Sequence, residues 1–265
     1  SGTKPYYDIG INLVSGRGQK KFSFDHPDLL FQGEQWQIHP QAELEFNKKN
    51  FSLRNMVFSD SGRSLRLEDI SNKGLKVMIQ GFNLSFINDF LINKSVYMSG
   101  IFDAYATVDN VYNVNNLNGK ISVGNFRMNS NSYGRLVVDF DLPDPMRPMN
   151  VVVSNQYKET SIDGKGTFNL PLKSGYNLPK YDFLLDFNAT AFPISFLENF
   201  MTSIGDTKGT LDGKFTLEMI NKNIYGSGSL LALNGTTLIK YLNTRYFFDK
   251  QTIRFDKNKI VFNEV

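Results

Sequence analysis

The 265-residue chain contains no cysteine, so it can form no disulfide and has no thiol nucleophile. A cysteine-free chain suits an oxidising compartment, although many cytosolic proteins also lack the residue. Histidine is nearly absent too, with only His26 and His39. A metal site needs converging ligands, and the one local grouping, Asp25-His26-Pro27-Asp28, reads as a turn with an Asx cap. No Gly-x-Ser-x-Gly, no phosphate-cradling P-loop and no dinucleotide fingerprint occurs, and Gly16-Arg17-Gly18 is an isolated loop. Paired carboxylates could hydrolyse a glycan, but no pair can be assigned the two roles. The sequence therefore predicts a non-enzyme without cofactor or metal. Charge of either sign is scarce as well: 29 Lys and Arg stand against 26 Asp and Glu, for a net +3. The basic residues are scattered, with no run longer than Lys20-Lys21 or Lys48-Lys49, which argues against a nucleic-acid partner. No apolar run approaches the roughly 18 residues of a membrane span, and no leader is visible. Ser1-Gly2-Thr3-Lys4 reads as an expression scar, and the chain stops inside a strand pattern at Phe262-Asn263-Glu264-Val265. The expectation is a piece of a longer protein, with any anchor or export signal outside it.

Aromatic residues are plentiful, with 23 Phe and 12 Tyr in a chain that is 41% hydrophobic. The dominant period is two. It runs through Glu43-Leu44-Glu45-Phe46, Ser64-Leu65-Arg66-Leu67-Glu68, Tyr181-Asp182-Phe183 with Leu185 and Phe187, Thr210 to Met219, and Ile253-Arg254-Phe255-Asp256. Alternation at two places every apolar side chain on one face of a strand. Asn118-Gly119, Asp163-Gly164, Asp212-Gly213 and Asn234-Gly235 read as hairpin turns, with Gly213 a bulge as the alternative. Roughly fifteen strands are expected at this spacing. Pro143, Pro145 and Pro148 mark a loop or a crossing between sheets, because proline cannot donate to a ladder.

One phrase occurs twice. FNLSFINDF at 82–90 returns as FPISFLENF at 192–200. Phe86, Ile87, Phe90 and Leu91 fall on one face of a short helix, as do Phe196, Leu197, Phe200 and Met201. A Gly-spaced meander follows each copy. The phrase is read as the opening of a repeat, a short helix followed by strands, and the units stack because one alone cannot bury its apolar face. Phe86 and Phe196 are expected to be equivalent and buried. The parts are 1–30, a set of N-terminal strands; 31–142, a first repeat region; and 143–265, a second. Together they are expected to form one continuous β body.

Parity assigns Leu44, Phe46, Leu65, Leu67, Leu136, Val138, Phe140, Phe183, Leu185, Phe187, Leu211, Phe215, Leu217, Ile253, Phe255, Ile260 and Phe262 to one apolar face. Arg66, Asp139, Asp186, Asp212, Lys214 and Arg254 fall on the other. The pattern alone leaves two readings open. The face is either an ordinary core filled by its own side chains or a groove that buries acyl chains, at roughly 0.8 kcal/mol per methylene.

The order of motifs resembles the C-terminal periplasmic region of the TamB family, within the AsmA-like group of Gram-negative envelope proteins. Carrying the resemblance are Phe31-Gln32-Gly33-Glu34-Gln35-Trp36-Gln37-Ile38, then Leu44, Phe46, Phe51 and Leu53, then the repeated phrase. Last comes Tyr241-Leu242-Asn243-Thr244-Arg245-Tyr246-Phe247-Phe248, followed by Thr252-Ile253-Arg254-Phe255 and Lys259-Ile260-Val261-Phe262. Residues 103–117, rich in Asp, Asn and Val, depart from the family's compact turn. The resemblance implies an all-β, elongated, curved, largely antiparallel meander with one or two short helices. This is the open half-pipe or β-taco with an apolar interior. It also implies a periplasmic location, with the full-length protein anchored in the inner membrane. The implied partners are phospholipid or another acyl-chain ligand and an outer-membrane barrel of the BamA-like type. The implied role is support of outer-membrane assembly, as in the translocation and assembly module, with passage of phospholipid along the groove.

Two other readings remain. One is a chaperone that shelters barrel strands by pairing at a sheet edge. The other is a secreted carbohydrate-binding β-sandwich, which the single Trp and the inward aromatics disfavour. Stacked repeats should lengthen the molecule. Small-angle scattering should therefore give a radius of gyration above the roughly 18 Å of a compact domain this size; a compact value would contradict the stacking.

Overall fold

Alternation becomes antiparallel strand throughout. The computed structural model describes residues 7–16, 18–31, 33–89, 96–114, 116–170, 182–199, 203–221, 223–257 and 259–262. Phe90, Leu91, Phe200, Met201 and Tyr181, on which part of the sequence reading rested, lie outside them. No helix among the described residues is long and apolar enough to cross a membrane. The chain divides into two compact units. The first is Ser1–Phe82, Phe102–Ile121 and Leu142–Pro145; the second is Asn83–Ile101, Ser122–Asp141 and Met146–Val265.

The first unit holds β1 (Tyr7–Asp8), β2 (Ile11–Gly16), β3 (Gln19–Phe24), β4 (Asp28–Phe31), β5 (Glu34–Ile38), β6 (Glu43–Phe46), β7 (Phe51–Arg54), β8 (Met56–Ser59), β9 (Ser64–Ile70) and β10 (Gly74–Asn83) up to Phe82. One sheet has the order β1-β4-β5-β8-β9-β10 here, and a second runs β2-β3-β6-β7. Their apolar faces meet. Ile38, Ala42 and Met56 are buried, with Phe24 and Leu53 from the small sheet and Leu29, Phe58 and Leu67 from the larger one packed around them. Arg63 lies over the Trp36 ring at 4.8 Å, and its guanidinium pairs with Asp60 and Glu34. The hydrogen bond from Arg63 holds the Asp60 carboxyl below its ordinary range.

Residues of β11 (Met98–Val108) and β12 (Leu117–Met128) fall in both units. The second unit continues with β13 (Asn131–Leu142), β14 (Met149–Tyr157), β15 (Thr160–Phe168), β16 (Phe183–Pro193), β17 (Ile204–Ile220), β18 (Asn223–Ile239), β19 (Thr244–Lys257) and β20 (Lys259–Phe262). From β13 to β20 each strand pairs antiparallel with its sequence neighbour. The all-β antiparallel meander expected from the sequence is the observed fold.

The four Asn-Gly and Asp-Gly dipeptides are not hairpin turns. Each lies inside a strand: β12, β15, β17 and β18. The turns use Asn129, Lys158, Asn221 and Asn243 at positive φ instead. The glycines serve space rather than reversal. A Cβ on Gly164 would lie 2.4 Å from the Phe187 ring, because the phenyl group of the neighbouring strand lies across it.

The repeated phrase forms a 3-10 turn twice, over Leu84–Asp89 and Ile194–Asn199. Each follows a residue at positive φ, Gly81 and Ala191. The amide of each donates to an aspartate of the following strand, Gly81 to Asp103 at 2.8 Å and Ala191 to Asp212 at 2.9 Å. Asn88 then spans to the next strand, accepting from the Met98 amide at 2.7 Å and donating to its carbonyl at 2.8 Å. At the matching place the Glu198 carboxylate accepts from the Thr207 amide. The equivalent anchors are not the expected pair, however. Leu84 and Ile194 are 6% and 3% exposed, whereas Phe86 is 47% exposed and Phe196 half-buried. In the 3-10 geometry the first residue of each turn points inward; two residues later Phe86 turns out, while Phe196 packs beside Phe192 and Tyr133. Leu84→Ala and Ile194→Ala should each lower stability by about 2–4 kcal/mol, and Phe86→Ala by less than about 1 kcal/mol. Urea denaturation checks this, and equal costs at Leu84 and Phe86 would contradict it.

Candidate functional site

In antiparallel sheets, directly paired residues share a face. Applied across the second unit, the registers build continuous rows. Val138 pairs with Val153, Val153 with Gly164, Gly164 with Phe187, Phe187 with Phe215, Phe215 with Gly228, Gly228 with Phe255 and Phe255 with Ile260. The next row is Phe140, Val151, Gly166, Leu185, Leu217 and Gly226. On the other side Leu136, Asn155, Ile162, Ala189, Gly213, Leu230, Ile253 and Phe262 follow one another. Phe183 pairs with Met219, and Leu211 with Phe192 and Ala232. All of the expected residues from Leu136 onward therefore fall on one face of one sheet. Ile260 and Phe262 are placed by register alone. At ~4.8 Å between neighbours, a row from β13 to β20 is roughly 34 Å long.

A bulge keeps the face continuous. Between the Ala189–Gly213 and Phe192–Leu211 pairs, β16 carries Thr190 and Ala191 against the single residue Asp212. The extra residue would leave an orphan amide, and the Asp212 carboxylate accepts it.

Coverage of the face is uneven. At the end beside the second 3-10 turn it is closed: Phe192, Ile194, Leu211, Leu230, Ala232 and Ile253 are buried. Phe196 packs edge-on against Phe192 at 5.2 Å and against Tyr133 at 5.6 Å. Burial pushes the Tyr133 phenol above its ordinary value, against the opposing hydrogen bond from Asn199. Away from that end Leu185, Phe187, Phe215, Leu217 and Phe255 remain half-exposed. Phe187 and Phe215 stack at 5.0 Å and 16° between Gly164 and Gly228. The half-exposed rows carry no ionisable side chain until Lys257 at the β19 margin. Such a surface can hold apolar chains and offers no acid, base or nucleophile.

The first unit treats its share of the expected residues differently. Leu67 packs into the closed core around Met56. Leu65 pairs with Phe58 on the same face of β9, and Leu44 and Phe46 pair with Leu53 and Phe51 in the small sheet, Phe46 stacking on Phe22 at 5.5 Å. These four belong to a sandwich, where a second sheet fills the space a ligand would need.

The opposite face of the second unit carries a feature that alternation did not reveal. A hollow of about 850 Å³ lies over β14 to β18. Ser154, Asp163, Asn188 and Lys214, in register, form one wall; Val152, Lys165, Asp186, Thr216 and Ser227 form the other. The row between them, Val153, Gly164, Phe187, Phe215 and Gly228, forms its floor. Within the hollow the Thr216 hydroxyl donates to the Asp186 carboxylate at 2.6 Å. The available signal was the run of short polar and charged residues between the apolar ones, opposite glycines. Among the described residues no group of three or more His, Asp and Glu side chains converges to hold a metal.

Compared with family models, with curated proteins and with solved structures, the chain matches none.

Proposed function

We propose that the second unit holds lipid acyl chains on its apolar face. In this reading the chain is a TamB-like segment in the periplasm, supporting outer-membrane assembly by passing phospholipid along the sheet. The observation that supports it is the half-exposed lane of Leu185, Phe187, Phe215 and Leu217 on one face of the β13–β20 sheet. Each methylene of a chain laid on it gains roughly 0.8 kcal/mol, and the absence of charge within the rows removes the cost of desolvating one.

A second reading, strand recruitment, has its own observation. Every residue of β2 is exposed, and β2 is an edge of the small sheet. Its unpaired backbone groups and the apolar Ile11, Leu13 and Val14 fit an added strand of another chain.

The test is Phe215→Asp, read by thermal melting and by mass spectrometry of lipid that co-purifies with the chain. In a half-exposed lane water reaches the carboxylate. The variant should then stay folded and lose at least tenfold of its bound lipid. Unfolding would show that Phe215 belongs to a closed core, and a folded variant with undiminished lipid would remove Phe215 from the path. Either result contradicts the proposal.

A further inference from the structure

The β18–β19 hairpin ends in a tight turn. The Leu242 amide donates to the Ile239 carbonyl and the Asn243 amide to the Lys240 carbonyl, both at 3.2 Å. The Thr244 hydroxyl donates to the Leu242 carbonyl at 3.0 Å, and Asn243 takes a positive φ. The Lys240 amide is tied to the Ser203 carbonyl at 2.9 Å. These bonds hold the turn, and its large side chains are exposed. Tyr241 is 79% exposed and Phe247 75%. Leu242 and Tyr246 are exposed beside them. The repeat does not use these side chains and neither does the apolar lane.

Cations frame the tip. Lys240 and Arg245 lie in the tip, Lys250 lies just beyond it next to Asp249, and Asp206 on β17 engages Arg245. Size decides between occupants. Large aromatic side chains bury about 150–250 Å² each when fully covered. As neighbours on β19, Tyr246 and Phe247 point to opposite faces of the hairpin, so Tyr241, Leu242 and Phe247 together offer roughly 400 Å², short of the about 800 Å² per partner of a stable protein interface. A bilayer surface sets no such minimum. It accepts a small tip in which tyrosine and phenylalanine sit at headgroup depth while lysine meets lipid phosphates.

We propose that the Lys240–Phe247 hairpin tip is a membrane-surface anchor that inserts Tyr241, Leu242 and Phe247 into the headgroup region of a bilayer containing anionic phospholipid. It docks the chain at a lipid surface whether or not the apolar lane carries lipid. Because the chain has no cysteine, Leu242→Cys gives a unique position for an environment-sensitive fluorophore.

The 265-residue chain would be mixed with vesicles of phosphatidylethanolamine and phosphatidylglycerol. The probe at Leu242 should shift to the blue, and a probe at Asn223→Cys, at the other end of β18, should not. The double variant Tyr241→Ser/Phe247→Ser should bind the vesicles at least tenfold more weakly by co-sedimentation, with unchanged melting and unchanged co-purified lipid. Binding should weaken as phosphatidylglycerol is withdrawn or salt is raised. An unshifted Leu242 probe, or a double variant that binds as well as the parent, would overturn the anchor. So would a vesicle-free change in oligomeric state on the double substitution, which would make the patch a contact between copies. Loss of lipid from the Phe215→Asp variant without loss of vesicle binding would separate the anchor from the lane.

Discussion

Every property argued for the second unit depends on register. In a strand the side-chain period is two, so a slip of one residue moves an entire apolar set into water and brings its charged neighbours to the apolar side. One point at which the register shifts is β16, where Thr190 and Ala191 crowd against Asp212. The Asp212 carboxylate closes it by accepting from the amide of Ala191. Phe192 thereby returns to the face of Phe187, Phe215 and Leu211, and the second 3-10 turn starts with Ile194 aimed inward. The same device precedes the first turn, with Gly81 and Asp103 in the corresponding roles. Gly81 could not be replaced there: beyond its positive φ, a Cβ would lie 2.1 Å from the Gly62 carbonyl oxygen. The repeat is therefore deeper than a likeness of letters. In both copies a residue at positive φ gives its amide to an aspartate of the following strand and a 3-10 turn follows; in the second copy a bulge at the same place sets which side of β16 is apolar.

The two units use one alternating pattern to opposite ends. In the first, a small second sheet brings Phe24 and Leu53 onto Ile38, Met56 and Leu67, and the apolar surfaces consume one another. In the second, the end beside Ile194–Asn199 is closed by Phe192, Phe196 and Tyr133. The middle of the sheet keeps Phe187 and Phe215 stacked on each other with glycines on either side. Gly164 lets the Phe187 ring lie across it, where a Cβ would collide. On the other face the same glycines form part of the floor of the polar hollow. One sequence choice thus shapes both surfaces.

Much of this was legible in the sequence, for a definite reason. Period two is set by backbone geometry, so the shared face of Leu185, Phe187, Phe215 and Leu217 followed from parity alone. The repeated phrase was visible because six of its nine letters are the same or similar. Other features depend on what stands opposite. Asp163-Gly164 carries the letters of a hairpin turn but sits in mid-strand, because Phe187 across the ladder needs the space of a missing Cβ. Phe86 looked like the anchor of its turn because a helical face was assumed; the tighter 3-10 winding gives that place to Leu84. Whether Leu67 lines a groove or fills a core turns on a second sheet, and nothing local to its strand records that. The polar hollow was missed because alternation says which side a charge is on, not whether that side is concave.

The central claim is that acyl chains lie on the face that carries Leu217 and not on the face that carries its neighbour Thr216. A photo-activatable benzoylphenylalanine at each position in turn, illuminated with phospholipid vesicles present and read by mass spectrometry, tests it most directly. The account predicts a lipid adduct from position 217 and none from position 216. No adduct at 217, or equal adducts from both positions, would contradict it.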